Sequence, residues 1–371
     1  MMETGVGKNE IRERRLSFTA KHILIAVCIA LFIVSFSCDL LTGPHKSGGV
    51  DTTSHAWTFE IDTLGDGASQ LYDVAIVSTS PPLAYAVGRM YLKDSTGQLN
   101  PNIHNLAKWD GTGWTFLQVS VKLTYMASSV VTDQDPLQSV FPISENDVWF
   151  VSRAGGVTRL RYGNWDLLDI PYGEGPGAAS KTWGTSSSNM YFVSNNGRIV
   201  RYDGFWHTLT SSTSLDIRDI WGSPDGSQVL AVAGSKILKI QGSTVSTISD
   251  SGVEGSLNGT WFVPDQKYYA VGGGIYWKNR LTDPVWNTYA PGVVTSYVSE
   301  SIAGNDTNDV FVVGDSFEML HYNGRSWYNY KDVVPLSYGV LGSVAMKGNL
   351  MIAVGFTGST QQAIAIVGKR N

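Results

Sequence analysis

Beyond Cys38 the 371-residue chain contains no cysteine, and its one other cysteine is Cys28. Disulfides and thiolate metal sites are therefore closed to everything downstream, and cysteine usage gives no redox argument for a compartment. Charge is scarce, at 16% of residues. No cluster of Lys and Arg occurs beyond the N-terminus, and sequence-independent nucleic-acid binding needs one, so nucleic acid is not an expected partner. No segment holds a sustained 3.6-residue apolar period, which predicts almost no helix after residue 38. Reaction signatures are missing as well. There is no G-x-S-x-G and no phosphate loop, and His45, His55, His104, His207 and His321 include no pair at metal-ligand spacing. The expectation is no cofactor and no metal.

What the chain has in quantity is glycine and aromatics: 40 Gly, 12 Trp and 17 Tyr. They recur in a unit of four apolar segments. One anchor is a valine of the second segment, at Val87, Val151, Val193, Val232, Val271, Val313 and Val354, spaced by 64, 42, 39, 39, 42 and 41 residues. A second anchor opens the fourth segment: Trp114, Trp165, Trp206, Val245, Trp286 and Trp327, spaced by 51, 41, 39, 41 and 41. Both give a period of about 40 residues, the length of a four-stranded propeller blade. The long first interval marks an insertion in the first repeat. Tight-turn sequences join the segments, as in Asp110-Gly111, Asp203-Gly204 and Asn323-Gly324, where the positive φ of a two-residue hairpin is needed.

The seventh repeat has three segments and then the chain stops. A matching fourth lies at the other end, residues 57–61, with Trp57 but no strands before it. The pattern predicts an all-β, seven-bladed β-propeller whose last blade is closed by this N-terminal strand, leaving no open seam between the first and last blades. The predicted organisation is a signal at 1–38, a flexible tether at 39–56 and one propeller domain at 57–371, monomeric.

Lys8, Arg12, Arg14, Arg15 and Lys21 precede the apolar run 23–36. That is the layout of an export signal, too short for the about 20 residues of a span. The run ends at Ser35-Phe36-Ser37-Cys38, which resembles a bacterial lipoprotein signal and implies acylation of Cys38. Phe36 and Ser35 depart from the commonest residues of that pattern. Residues 1–38 hold 5 basic and 3 acidic residues of the chain's 27 and 32, which leaves 22 and 29 and a net charge of −7 for the remainder. The membrane contact expected is through the lipid anchor alone, on the outer membrane, facing either periplasm or surface.

The recurring tryptophans occupy one structural position in six blades, so packing accounts for them better than a carbohydrate site would. A basic residue recurs in the third segment, at Lys108, Arg161, Arg201, Lys239 and His321, and reads as the solvent side of a period-two strand. Residues 305–309 cluster oxygen ligands but lack the spacing of a calcium loop. Units such as Asp309-Val310-Phe311-Val312-Val313-Gly314 followed by Leu320-His321-Tyr322-Asn323-Gly324 and Trp327, with Trp183-Gly184 and Trp221-Gly222, resemble the repeats of exported bacterial β-propellers. The resemblance implies the fold and little about function.

Propellers bind ligands among the loops from fourth to first and from second to third strands, and long loops carry function more often than short ones. Two are long here, 88–105 and 118–137, followed by 166–178. The candidate ligand-binding residues are Tyr91, His104, Tyr125, Asp133, Asp135, Tyr172 and Glu174, with Tyr297 and Tyr338 in equivalent loops. Tyrosines and carboxylates suit a protein or glycan partner of the cell envelope. The alternative is a polysaccharide-active enzyme, a glycoside hydrolase or lyase, with acids drawn from separate blades.

Overall fold

The computed structural model describes residues 52–126, 128–289, 292–336 and 338–371. The signal, Cys38 and the tether up to residue 51 lie outside the described residues. The described residues form seven four-stranded antiparallel sheets, with one extra two-stranded hairpin and a single 3₁₀ turn at Asn195–Gly197. Blades one to six begin at Gln70–Thr79, Leu137–Ser144, Ala179–Ser186, Ile217–Gly222, Leu257–Val263 and Ser299–Asp306. Blade seven comprises Gly339–Lys347, Leu350–Thr357, Ala363–Arg370 and, as its outer strand, Trp57–Thr63. Trp57 pairs with Arg370 and Thr63 with Ile364, antiparallel. The ring is a seven-bladed β-propeller closed by its N-terminal strand.

The packing explains the repeat. Second strands such as Val229–Ala233 and Asp309–Gly314 are buried along their whole length, because neighbouring blades cover both faces; hence continuous apolar runs instead of alternation. Seven apolar clusters fill the ring, one in each gap between adjacent blades. Each fully buried aliphatic or aromatic side chain contributes roughly 1.5–3 kcal/mol. Trp183 of blade three and Trp261 of blade five lie against glycines of the next blade. A Cβ on Gly222 would sit 2.3 Å from the Trp183 ring, and one on Gly304 would sit 2.7 Å from Trp261. Tryptophan needs that flat, empty backbone to lie on, which accounts for Gly222 and Gly304, whereas Gly184 is closed in by Met190 and the Asn189 carbonyl.

Among the tryptophans that open fourth strands, Trp57 and Trp286 are buried, while Trp165 is 40% exposed and stacks obliquely on Phe150. The third-strand cations divide. Lys108 and Arg161 face solvent. His321 is fully buried, against the solvent-side expectation, because its Nε2 bonds the Asp309 carboxylate at 2.9 Å. Asp309 also receives Arg370 of the closing blade and the Asn305 amide at 2.7 Å. The oxygen-rich turn at 305–309 therefore contributes a lock between blades six and seven.

Residues just before the closing strand join this lock. His55 Nδ1 lies 2.8 Å from His321 Nδ1, Tyr330 donates its hydroxyl to the His55 carbonyl at 2.5 Å, and Thr53 Oγ1 bonds the Asn308 carbonyl at 2.6 Å. Thr53 and His55 thus lie against blade six.

Candidate binding face

All seven first strands start on one face and run to the other, so the loops from fourth to first strands and from second to third strands share the starting face. Every first strand carries a register irregularity near the start of its ladder: between Leu71 and Asp73, Leu137 and Ser139, Ala179 and Lys181, Ile217 and Asp219, Leu257 and Gly259, Ser299 and Ser301, Leu341 and Ser343. A bulge leaves one residue unpaired and re-aims its side chain. The seven residues so released are Tyr72, Gln138, Ser180, Arg218, Asn258, Glu300 and Gly342, and all seven line a polar funnel of about 210 Å³ at the axis. Lys181, Asp219 and Ser301 form its floor. Beyond them the channel widens into an apolar cavity of about 270 Å³ on the opposite side, with Phe141, Trp221, Trp261 and Met346 among its walls.

The waist is a buried polar hub. Asp73 is 1% exposed and accepts five hydrogen bonds: from Val74 N at 2.9 Å, Ser139 Oγ at 2.8 Å, Val140 N at 3.0 Å, Lys181 Nζ at 2.5 Å and Ser343 Oγ at 2.8 Å. Blades seven, one, two and three meet on this one carboxylate. Asp219 extends the hub to blade five by accepting Thr260 N at 2.8 Å. Burial works against the Lys181 ammonium, but Asp73 and Asp219 together hold it above the usual lysine range. Burial pushes the Asp219 carboxyl up to about 6, a rise that Lys181 limits. Glu300 is likewise raised, by burial and then by Asp315, with Arg218 opposing.

A second concavity lies off-axis on the same face. Insertion 118–136 folds into a hairpin, Val121–Thr124 with Ser129–Thr132. With the loop after blade two it walls a groove of about 320 Å³ that includes Leu123, Tyr125, Ile170, Tyr172 and the backbone of Gly155, Gly156 and Gly173. Arg198 fixes the outer wall by donating to the Gly175 carbonyl at 2.7 Å and the Gly173 carbonyl at 2.5 Å. Lys122 pairs with Asp169. Gly155 must be glycine, since a Cβ there would stand 2.4 Å from the Gly177 carbonyl oxygen. The Ser129–Thr132 strand pairs on one side only and exposes Val130 and Val131.

All nine sequence-predicted ligand residues sit in loops or at strand ends of this face. Tyr125 and Tyr172 are brought together as groove walls, 53% and 57% exposed. Glu174 follows in the same loop, its carboxylate making no hydrogen bond among the described residues. Asp133 and Asp135 buttress the insertion: their carbonyls accept the Asn105 amide, and the Asp135 carboxylate takes Ala154 N at 3.0 Å. His104 turns inward, with a buried Nδ1 that has no hydrogen-bond partner among the described residues and a pKa lowered by burial. The backbone of Tyr91 bonds Ser69 and Asp66. Tyr297 lies under Lys331, whose ammonium is 3.9 Å from the ring centre, and Tyr338 is exposed over Gly358. None of the nine lines the axial funnel. The residues that do went unrecognised because a bulge changes neither composition nor turn chemistry. The available signal was positional, a polar or charged residue at the same offset in nearly every first strand.

No family model matches this chain, and no curated protein matches it. Solved structures do. YCF48 bound to D1 peptide is 16% identical, with a TM-score of 0.63 over 87% of this chain and 100% of that one. YCF48 from Cyanidioschyzon merolae is 14% identical, at 0.58 over 85% and 98%. U3-55K is 11% identical, at 0.57 over 83% and 98%. The likeness is one of fold. At such identities it carries no ligand across.

Proposed function

We propose that this chain is an exported, lipid-anchored propeller that binds a segment of a protein partner on its loop-rich face. The observation that carries the reading is the groove between the 121–132 hairpin and the loop after blade two. It offers two exposed tyrosines, an apolar floor of Leu123 and Ile170, and glycine-rich backbone open to close approach. Tyrosine supplies broad, amphipathic contact area at small conformational cost, and the one-sided Ser129–Thr132 edge can accept an extended backbone by strand addition. A propeller of similar fold, YCF48, has been solved bound to D1 peptide, a precedent for a peptide held by this architecture. The envelope address rests on the basic-apolar-Cys38 layout of the N-terminus.

The test is affinity capture from solubilised envelope with the full lipoprotein and two variants. Tyr125→Ala with Tyr172→Ala should lose the captured protein at least tenfold, while Tyr162→Ala, on the opposite face, should retain it. Equal capture by both variants, or none by wild type, would reject the groove as the binding site.

A further inference from the structure

We infer that the axial funnel receives one cationic side chain, a lysine or arginine, of the protein segment bound on this face. The inference rests on the protein-binding reading and names the partner's chemistry at a second point of contact. The cavity of about 210 Å³ is below the about 300–1,000 Å³ of ordinary small-molecule sites, so it suits a single extended side chain. Its lining leaves acceptors unspent. Glu300 makes no side-chain hydrogen bond among the described residues. Asn258 donates its amide nitrogen to the Ser299 carbonyl at 3.3 Å, which leaves Oδ1 free. Asp219 accepts only backbone N–H groups, from Thr260 at 2.8 Å and from Ile220.

The charges are unbalanced in the same sense. Lys181 is committed to Asp73. Arg218 is exposed at the mouth, where water solvates it. Asp73, Asp219 and Glu300 thus outnumber the two cations, Lys181 and Arg218, by one, and burial penalises Asp219 and Glu300 in the ionised form by more than Lys181 and Arg218 offset. An entering ammonium or guanidinium would restore that balance through several N–H donors. An inorganic cation fits less well: among the described residues no three His, Cys, Asp or Glu converge closely enough to hold a metal ion. Arg218 at the rim then faces the backbone or an acidic neighbour of the inserted residue.

The probes are N-acetyl-arginine amide, N-acetyl-lysine amide and the neutral isostere N-acetyl-citrulline amide, titrated against the full chain by saturation-transfer NMR. The two cationic probes should bind at least tenfold more tightly than citrulline. Glu300→Gln should weaken them at least fivefold with its melting temperature unchanged, and Tyr162→Ala, on the opposite face, should not weaken them. Binding should also fall as pH drops below about 6, where Asp219 takes up a proton; the other charges facing the site are Glu300, Asp73, Lys181, Arg218 and Asp315. Citrulline binding as tightly as arginine, no binding by any probe, or no effect of Glu300→Gln would overturn the inference. Envelope capture that survives while the probes fail would confine the error to the funnel.

Discussion

Asp73 bears more of the ring than any apolar residue of its size could. Five donors from four blades converge on it, and among the described residues Lys181 bonds no other acid. Replacing Asp73 by alanine strands two buried serine hydroxyls and the ammonium of Lys181, whose side chain is 26% exposed, and breaking a fully buried pair from one side costs about 3–5 kcal/mol, an upper bound here. Thermal denaturation of Asp73→Ala should show a large drop in melting temperature, and Ser139→Ala a much smaller one. Similar curves for the two would mean that the hub is incidental. None of this was legible in the sequence. Asp73 sits in an apolar stretch and finds partners up to 270 residues away, a separation no local pattern encodes. His321 escapes the pattern for the same reason: its period-two neighbours place it outward, but Asp309 and Arg370 from other strands, and His55 from the segment before the closing strand, bury it.

At the scale of elements, legibility followed turn chemistry. Asp110-Gly111, Asp203-Gly204 and Asn323-Gly324 each separate a third from a fourth strand, so those limits are readable from the turn. The closing strand was readable because Trp57 stands without strands before it. The 121–132 hairpin was not, since two four-residue strands and a short tip leave too little pattern. The lock beside the closing strand makes a pH prediction. With neutral rings, His321 donates from Nε2 to Asp309 and accepts at Nδ1 from His55, which leaves His55 Nε2 to accept from Ser326 at 3.3 Å. Burial and then His321 lower the His55 pKa below its ordinary 6.5. A depressed histidine favours the folded state fully above pH 6.5, and that contribution is lost as pH falls, because the unfolded chain takes up the proton first. Wild type should therefore lose more stability between pH 7 and pH 5 than His55→Gln, measured by urea unfolding at each pH. Parallel loss in both proteins would remove His55 from the account.

For the whole molecule, regularity and use separate. Seven interfaces of the same kind hold the ring together, and the residues that satisfy them read out as the repeat. The features assigned to binding are departures from it: the hairpin insertion, the loop after blade two, and the varied residues released by seven bulges around the axis. All face one side. The opposite side carries short turns between third and fourth strands, tipped by Tyr162 and Phe205, both highly exposed. The most direct test is site-specific photocrosslinking in intact cells, with a photoreactive phenylalanine at Tyr172, Tyr162 or Phe205 of the full chain. Position 172 should yield a discrete crosslinked protein that positions 162 and 205 do not. Crosslinks from 162 or 205 with none from 172 would contradict the assignment of this face.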